Sequence, residues 1–388
     1  MSSVGTRLRI AVLNRTFSPV AGGAERYSIA LVEKLAAKHE IHVFAQSIDH
    51  RWPGVTYHHI SMPLRRPRWI NQLWFATLTW WATRKGFDVV HSHENTWHGQ
   101  VQTVHVLPIK HNLFNGLEGW GRFARILKVL SSPRLLVYLL LERARYARHH
   151  DRVVVVISET LREIFSASYP DAVAMTSVIT PGIDLPAYPT GASAQIAARI
   201  ELGLPEGKTC LLFVGNDLRK KGLDALLSAM QRMPADVVLA VVGDSPQRPQ
   251  FVQLAAQMGL ASRVCFLGAL KDVSPAYRAA DMLVHPTLED TFAMVVLEAM
   301  AHGLPIVVSS AKYCGIAGFL SSGVNALILD DPRDAPSLAA SLLNVLNDKS
   351  LRTTMGHAGR AFASEFGWDD IAARQEQIYK AVAQVAVR

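Results

Sequence analysis

Short, apolar, β-branched runs recur along the chain, separated by amphipathic stretches. In the first half they are LRIAVLN (8–14), IHVFAQ (41–46), DVVHSH (88–93), QTVHVL (102–107) and RVVVVIS (152–158). The second half repeats the scheme with CLLFVG (210–215), DVVLAVVG (236–243), RVCFLG (263–268), DMLVHP (281–286), PIVVSS (305–310) and ALILD (326–330). Runs that are continuously apolar predict strands buried on both faces, and the helical patterns between them predict parallel sheets covered on both sides. Two such sets in succession predict an α/β chain of two Rossmann-like domains. The stretch ITPGIDLPAYPTGASAQ (179–195), with three prolines and two glycines, interrupts the periodicity and reads as the linker. The expected division is therefore residues 1–186, residues 187–367 and a terminal helix over 368–388. That helix belongs to FGWDDIAARQEQIYKAVAQVA, where Asp369 or Asp370 stands near its N-terminus.

Composition agrees with two ordinary globular domains: 388 residues, 49% hydrophobic and 19% charged, are too many for one core. Charge changes the picture more. Residues 1–186 hold 22 Lys+Arg against 13 Asp+Glu, whereas residues 187–388 hold 18 against 19, so the net +8 belongs to the first half. The three cysteines, Cys210, Cys265 and Cys314, lie far apart and match no metal or redox spacing, which points to a reducing compartment. The N-terminus carries no apolar run of signal-peptide length, and no segment reaches the roughly 18 apolar residues of a bilayer span. The expectation is a cytoplasmic protein held peripherally at the cytoplasmic face of the membrane.

Open parallel sheets bind ligands beyond the carboxyl ends of their strands, which singles out four places. In the first, DMLVHP is followed by the loop TLED and the helical pattern TFAMVVLEAMAHG. The free N–H groups of Thr291, Phe292, Ala293 and Met294 are expected at the helix start, suited to a diphosphate or sugar hydroxyls. Asp290 and Glu298, eight residues apart, span about 12 Å along a helix, enough for a donor laid with its sugar at Asp290 and its ribose at Glu298. The spacing equally fits a plain N-cap and a solvated glutamate. In the second, VGNDLRKKGLD places Arg219, Lys220 and Lys221 after a strand, where cations can neutralise a departing diphosphate without a metal; solvated loop cations are the bland alternative. The third is the Gly22–Gly23 turn of SPVAGGAERY, which either lets the backbone approach an anion or is simply a tight turn; it lacks the full G-x-G-x-x-G. The fourth is His91, His93 and His105, near the ends of two strands. They suit hydrogen bonding to a sugar or are satisfied loop histidines, and no H-E-x-x-H or cysteine set supports zinc.

In sequence order, a GGAE first loop, a T-x-H after a short strand, VG…KG, VVGD, F-L-G, P-x-x-x-[ED]-x-F…LEAMA-x-G-x-P and a late FGW resemble the retaining glycosyltransferases of family 4 over nearly the whole chain. The resemblance implies the GT-B fold, two facing Rossmann-like domains with an active-site cleft between them, and a terminal helix that returns to the first domain. It implies that Glu298 binds the ribose hydroxyls and that Lys221, with Lys220, contacts the donor diphosphate. Gly243 and the backbone from Leu267 to Ala269 would border the base, His105 would contact the donor sugar, and Gly22 and Gly23 would close over the diphosphate. Two positions depart from the pattern. Asp290 stands where the family has a glutamate, with Glu289 beside it to share the role, and Asn216 replaces a frequent arginine whose charge Arg219 and Lys220 would supply. The implied mechanism is same-face attack in which the departing diphosphate takes the acceptor proton, or else double displacement through Asp290 or Glu289. Neither requires a metal, and no cofactor is expected. The stretch from Leu211 to about Leu329, with AKYCGIAGF at 311–319, is most similar to bacterial lipopolysaccharide core glucosyltransferases, which implies UDP-glucose or a related donor and a lipid-linked saccharide acceptor.

Independently, residues 61–86 hold five basic residues and no acid, interleaved with tryptophans. Arg65, Arg66, Arg68, Trp69, Trp74, Trp80 and Trp81 suit the interface of an anionic inner leaflet and its acceptor. The stretch 120–150 is basic and amphipathic in parts, but its portion 134–150 reads better as core helix. The basic residues match no nucleic-acid recognition module. A same-fold sugar-nucleotide epimerase and a non-catalytic sugar-binding or membrane-surface protein are the rival readings; the presence of both Lys221 and Glu298 speaks against the latter.

Overall fold

The structure is a computed structural model that describes residues 7–19, 22–64, 66–186 and 191–386. The chain divides into two compact units, one of Met1–Gly182 with Trp368–Arg388 and one of Ile183–Gly367.

The first unit contains β1 (Arg9–Leu13), β2 (Thr16–Phe17), β3 (Glu40–Ala45), β4 (Ser47–Ile48), β5 (Val55–His59), β6 (Val89–Ser92), β7 (Val101–Val104), β8 (Val153–Val156) and β9 (Thr176–Val178). Seven of them form one sheet in the order β5-β3-β1-β6-β7-β8-β9, and β2 and β4 pair separately. All pairings are parallel, with Ile10 opposite Ile41 on one side and Val89 on the other. The strand order reverses at β1, so the crevice beyond the ends of β1 and β6 is where such a sheet takes ligands. Ile10, Val12, Val43, Val89, Val101 and Val155 are buried in its core. The terminal helix Trp368–Ala386 joins that core through Trp368, Ile371, Tyr379 and Val382. Its Asp369 pairs with Lys34 at 3.1 Å.

The second unit contains β10 (Thr209–Val214), β11 (Val237–Val242), β12 (Val264–Gly268), β13 (Met282–His285), β14 (Ile306–Ser309) and β15 (Leu327–Leu329). They form a parallel sheet in the order β12-β11-β10-β13-β14-β15. Here the order reverses at β10, which makes the ends of β10 and β13 the expected ligand side. Leu211, Phe213, Leu239, Val241, Val284 and Val307 supply apolar faces to helices carrying Leu226, Met230, Leu338 and Leu342.

All eleven apolar runs are strands. Four strands lacked that signature for a physical reason. β5, sequence VTYHH, and β9, sequence TSV, are sheet edges whose residues are half-buried or exposed. β2 and β4 are two residues each. An edge strand has no neighbour on one side and needs no continuous apolar run.

Candidate functional site

β10 and β13 are neighbours, and the loops that leave them are stitched together. Lys220 O accepts Leu288 N–H at 2.8 Å. Gly222, at φ +83°, lies so close to Pro286 that a Cβ there would stand 1.9 Å from the Pro286 carbonyl oxygen. Only glycine fits, both for its left-handed backbone and for the space. The result is a juxtaposition of four charges. Lys220 Nζ is 2.5 Å from Glu289 Oε1, and Lys221 Nζ is 2.5 Å from Asp290 Oδ2 and 3.1 Å from Glu289 O. The cations reserved by the sequence for a diphosphate thus each hold an acid from the facing loop.

Asp290 is engaged on both oxygens. Oδ2 receives Lys221 and, at 3.3 Å, Nε2 of the fully buried His285. Oδ1 accepts the backbone N–H groups of Phe292 (3.3 Å) and Ala293 (2.8 Å). Its main chain is pinned as well, by Asp290 N to Tyr313 O at 2.7 Å and Gly315 N to Asp290 O at 2.9 Å, so the AKYCGIAGF segment anchors this loop. Burial alone would raise the carboxyl pKa, but His285 and Lys221 together hold it well below the usual carboxylate range. Burial, partly offset by Asp290, lowers the pKa of His285, which is neutral and donates from Nε2.

Two expectations about this segment are corrected. The helix runs from Met294 to Ala301 and does not begin at Thr291, because Ala293 adopts φ 69°, a left-handed cap that a helix cannot include. The N–H groups of Phe292 and Ala293 are not free, since Asp290 already supplies the negative charge that was reserved there for a ligand. Asp290 therefore sits in the loop ahead of the helix. Glu298, by contrast, is not a solvated helix residue: it is 6% exposed and accepts the Tyr277 hydroxyl at 2.6 Å.

The remaining second-unit candidates spread along the same sheet edge. Asn216 Oδ1 accepts Asp244 N–H at 3.0 Å, which closes the turns after β10 and β11 on each other. Gly243, at φ +148°, would place a Cβ 2.2 Å from Gly215 O, and its N–H bonds Gly268 O at 2.9 Å. Leu267 is half-buried at the end of β12, Ala269 is exposed just beyond it, and Arg219 is exposed and 3.7 Å from Asp224. Sequence reasoning missed His285 and Tyr277 as partners of the two acids. The position of His285 at a strand end was a usable signal; nothing marked Tyr277, 21 residues before Glu298.

In the first unit Gly22 caps the helix Gly23–Leu35, and Glu25 folds back so that a Cβ on Gly22 would be 2.9 Å from its Oε2; nothing crowds Gly23. Burial raises the Glu25 pKa, and also that of Glu94, whose Oε1 accepts Arg15 N–H at 3.0 Å. His91 is fully buried and used on both nitrogens, by Tyr379 OH at 2.6 Å and Thr103 Oγ1 at 2.7 Å. It is a satisfied core histidine. His93 Nδ1 and His105 Nε2 lie 2.9 Å apart just past the ends of β6 and β7. Burial pushes His91 and His105 down to about 3 and His93 well below its ordinary value, with neighbouring histidines and Arg145 adding to the effect.

Apolar surface is also concentrated in the first unit. On the helix Arg68–Thr83, Phe75 and Ala76 face inward, Trp69 is half-buried, and Arg68, Trp74, Trp80 and Trp81 (63%) are exposed. Arg84 lies over both Trp80 and Trp81. Arg66 is exposed just before this helix, while Arg65 falls outside the described residues. The helix Gly119–Leu130 exposes Trp120 (82%), Phe123, Ile126, Leu127 and Leu130 and buries only Val129. Helix Pro133–Arg145 buries Leu141, Glu142 and Arg145. No helix of the described residues is long and apolar enough to cross a membrane.

Two family models divide the chain between them: Glycosyltransferase Family 4 matches residues 21–186 and Glycosyl transferases group 1 matches residues 195–362. A D-inositol 3-phosphate glycosyltransferase of Xylanimonas cellulosilytica is 34% identical over 212 residues, which span 52% of this chain and about half (50%) of that relative. Among solved structures, the glycosyltransferase WaaG, involved in lipopolysaccharide biosynthesis, superposes with a TM-score of 0.82 at 22% identity, over 95% of this chain and 99% of the other. Anabaena Alr3699/HepE in complex with UDP and glucose superposes with a TM-score of 0.76 at 20% identity, over 96% and 99%. The fold is GT-B.

Proposed function

The chain belongs to the glycosyltransferases that join a Family 4 domain to a group 1 domain, and from that premise we propose that it moves a hexose from a nucleotide sugar, a UDP-sugar in first place, to a hydroxyl of a lipid-linked saccharide. The observation that carries the reading is the stitching of the β10 and β13 loops at the point where the sheet order reverses, which gathers Lys220, Lys221, Glu289 and Asp290. Lys221 and Lys220 are the cations for the diphosphate, and Glu298, buried and oriented by Tyr277, is the acceptor for the ribose hydroxyls. Gly243 and the end of β12 border the base. On the family resemblance, His105 is assigned a contact with the donor sugar and the Gly22–Gly23 turn one with the diphosphate. UDP is favoured because HepE is solved with UDP and glucose.

Retention of configuration is assigned to same-face attack, with the leaving diphosphate taking the acceptor proton. Asp290 supports this assignment over double displacement: a carboxylate that accepts four hydrogen bonds and is held ionised by His285 and Lys221 is a weakened nucleophile. Its task is then to orient Lys221 and the donor sugar.

The lipid-linked acceptor is supported by the basic field of the first half and by the exposed tryptophans beside arginines on Arg68–Thr83 and Gly119–Leu130. A lipopolysaccharide-type acceptor draws on WaaG, and an inositol phosphate, named in the Xylanimonas relative, is the competing acceptor. A panel of UDP-, GDP-, ADP- and dTDP-sugars, scored for nucleotide release with and without lipid-linked saccharides and inositol phosphate, tests the reading. Release from a UDP-sugar only when a lipid-linked acceptor is present is the expected result. Conversion of the donor into an isomeric nucleotide sugar, without acceptor and without net nucleotide release, identifies an epimerase-type reaction, and binding without turnover a non-catalytic protein.

A further inference from the structure

We propose that His93 is a positioning residue that fixes the tautomer of His105, so that His105 carries its proton on Nδ1 and acts only as a hydrogen-bond donor. β6 and β7 are paired, and the two histidines follow their last residues, so both rings emerge at one edge of the sheet. The rings stack at 16° with centroids 5.2 Å apart, and Nδ1 of His93 faces Nε2 of His105 at 2.9 Å. Tyr27 packs edge-on against both, at 5.1 Å from His105 and 5.9 Å from His93.

Both imidazoles are kept neutral by burial, so each has a single N–H and one of the two facing nitrogens must donate. The choice is made by the far side of His93. Its Nε2 is buried and has no hydrogen-bond partner among the described residues. If His105 donated from Nε2, His93 would have to carry its own proton on Nε2, a buried donor with nothing to accept it. If His93 donates from Nδ1, its Nε2 is only an unused lone pair. Buried orphan donors are much rarer than under-used acceptors, because an N–H taken from water loses a strong partner. The second arrangement is therefore adopted. His91 cannot supply an alternative, since Tyr379 and Thr103 occupy both of its nitrogens.

It follows that the Nε2 lone pair of His105 is consumed by His93 and its Nδ1 bears hydrogen. His105 then has no basic nitrogen available and serves as a neutral donor to an oxygen, not as the base that deprotonates the acceptor. This use of the tautomer rests on the proposed contact of His105 with the donor sugar; the tautomer itself does not.

The test uses the full chain labelled with 15N-histidine. Long-range proton–nitrogen spectra, assigned with His93→Asn and His105→Ala, are expected to show His105 and His93 both protonated on Nδ1 at neutral pH. His93→Ala is expected to lower kcat roughly tenfold with donor KM unchanged, and His93→Asn, whose amide N–H stands near the former Nδ1, to restore most of it. A His105 protonated on Nε2 overturns the proposal, as does a His93→Ala protein, folded by its thermal melt, that keeps wild-type kcat while His105→Ala loses transfer. Wild-type transfer by His105→Ala defeats the sugar-contact reading instead, and the spectra tell the two failures apart.

Discussion

Lys221 Nζ and Asp290 Oδ2 lie 2.5 Å apart although 69 residues separate them in the chain, because each belongs to a charged loop that follows one of two neighbouring strands. The lysine side chain is 20% exposed and the aspartate 16%, and the pair is backed by the neutral His285.

Lys221→Ala is expected to reduce transfer by at least about a hundredfold, since it removes a cation from the leaving group and releases Asp290 from its strongest partner. The remaining three contacts of Asp290 should confine the stability loss to about 1–3 kcal/mol. Glu298→Ala is expected to abolish transfer while the fold persists. Steady-state kinetics beside urea melts check both, and near-wild-type rates in either variant would remove these residues from the donor site.

Gly222→Ala places a methyl group 1.9 Å from the Pro286 carbonyl oxygen at a left-handed φ of +83°. The loop must move, and Lys220 and Lys221 move with it. The expected result is donor KM raised about tenfold or more together with a lower melting temperature. Gly23→Ala, where nothing lies within reach of the new Cβ, is the control for melting temperature.

Acid should destabilise the first unit well above the carboxylate range. The folded pKa values of His91 and His105 are lowered to about 3, and that of His93 is also lowered. Below the ordinary histidine pKa near 6.5 the unfolded chain binds protons that the folded chain refuses, so stability falls as pH drops from there towards 3. Each such histidine contributes a slope of about 1.4 kcal/mol per pH unit once its unfolded form is protonated. Asp290, with its pKa depressed, adds stability that is fully present above the ordinary carboxylate pKa and is lost as pH falls below it. Urea melts at pH 8, 6, 5 and 4.5 are expected to show a midpoint that declines throughout the series; a flat midpoint down to pH 4.5 contradicts the neutral histidine cluster.

The strands were legible in the sequence wherever burial on both faces demanded an unbroken apolar run, and illegible at β5 and β9, where an edge tolerates VTYHH or TSV. Of the candidate residues, Lys221, Asp290 and His105 could be singled out because they follow strand ends, where an open sheet meets a ligand. Glu298 lies within the helix Met294–Ala301, and since its spacing from Asp290 left a solvated glutamate equally open, its role was given by the family resemblance. The pairing of these residues could not be read, since the Lys221–Asp290 and Tyr277–Glu298 contacts join segments distant in sequence. The Phe292 and Ala293 amides looked free because nothing in TLEDTFAM announces that Ala293 turns left-handed and hands both N–H groups to Asp290. The relation of His93 to His105 also lay outside sequence reach: it depends on which nitrogen lies buried without a partner.

Membrane attachment is expected to depend on the helix Gly119–Leu130 at least as much as on the tryptophan-rich helix that the sequence favoured. At 100° per residue, Trp120, Phe123, Ile126, Leu127 and Leu130 fall in one arc, flanked by Arg122 on one side and Lys128 on the other. An arc of this kind, left exposed by its own unit, matches an anionic interface in both apolar surface and charge. Full burial of one large apolar side chain is worth roughly 1.5–3 kcal/mol, and interfacial insertion recovers part of that. Replacing Trp120 and Phe123 by serine should therefore weaken binding to phosphatidylglycerol-containing vesicles by about tenfold or more. Trp80→Ser with Trp81→Ser should have a smaller effect, because these rings are less exposed than Trp120 and Arg84 lies beside both. Neither pair contributes to a buried core, so melting temperatures should hardly change. Raising salt from about 0.05 to 0.5 M should weaken the wild type by screening its arginines and lysines while leaving the apolar contribution in place. Co-sedimentation with vesicles measures all of this, and unchanged binding in both double variants would show that neither helix meets the bilayer.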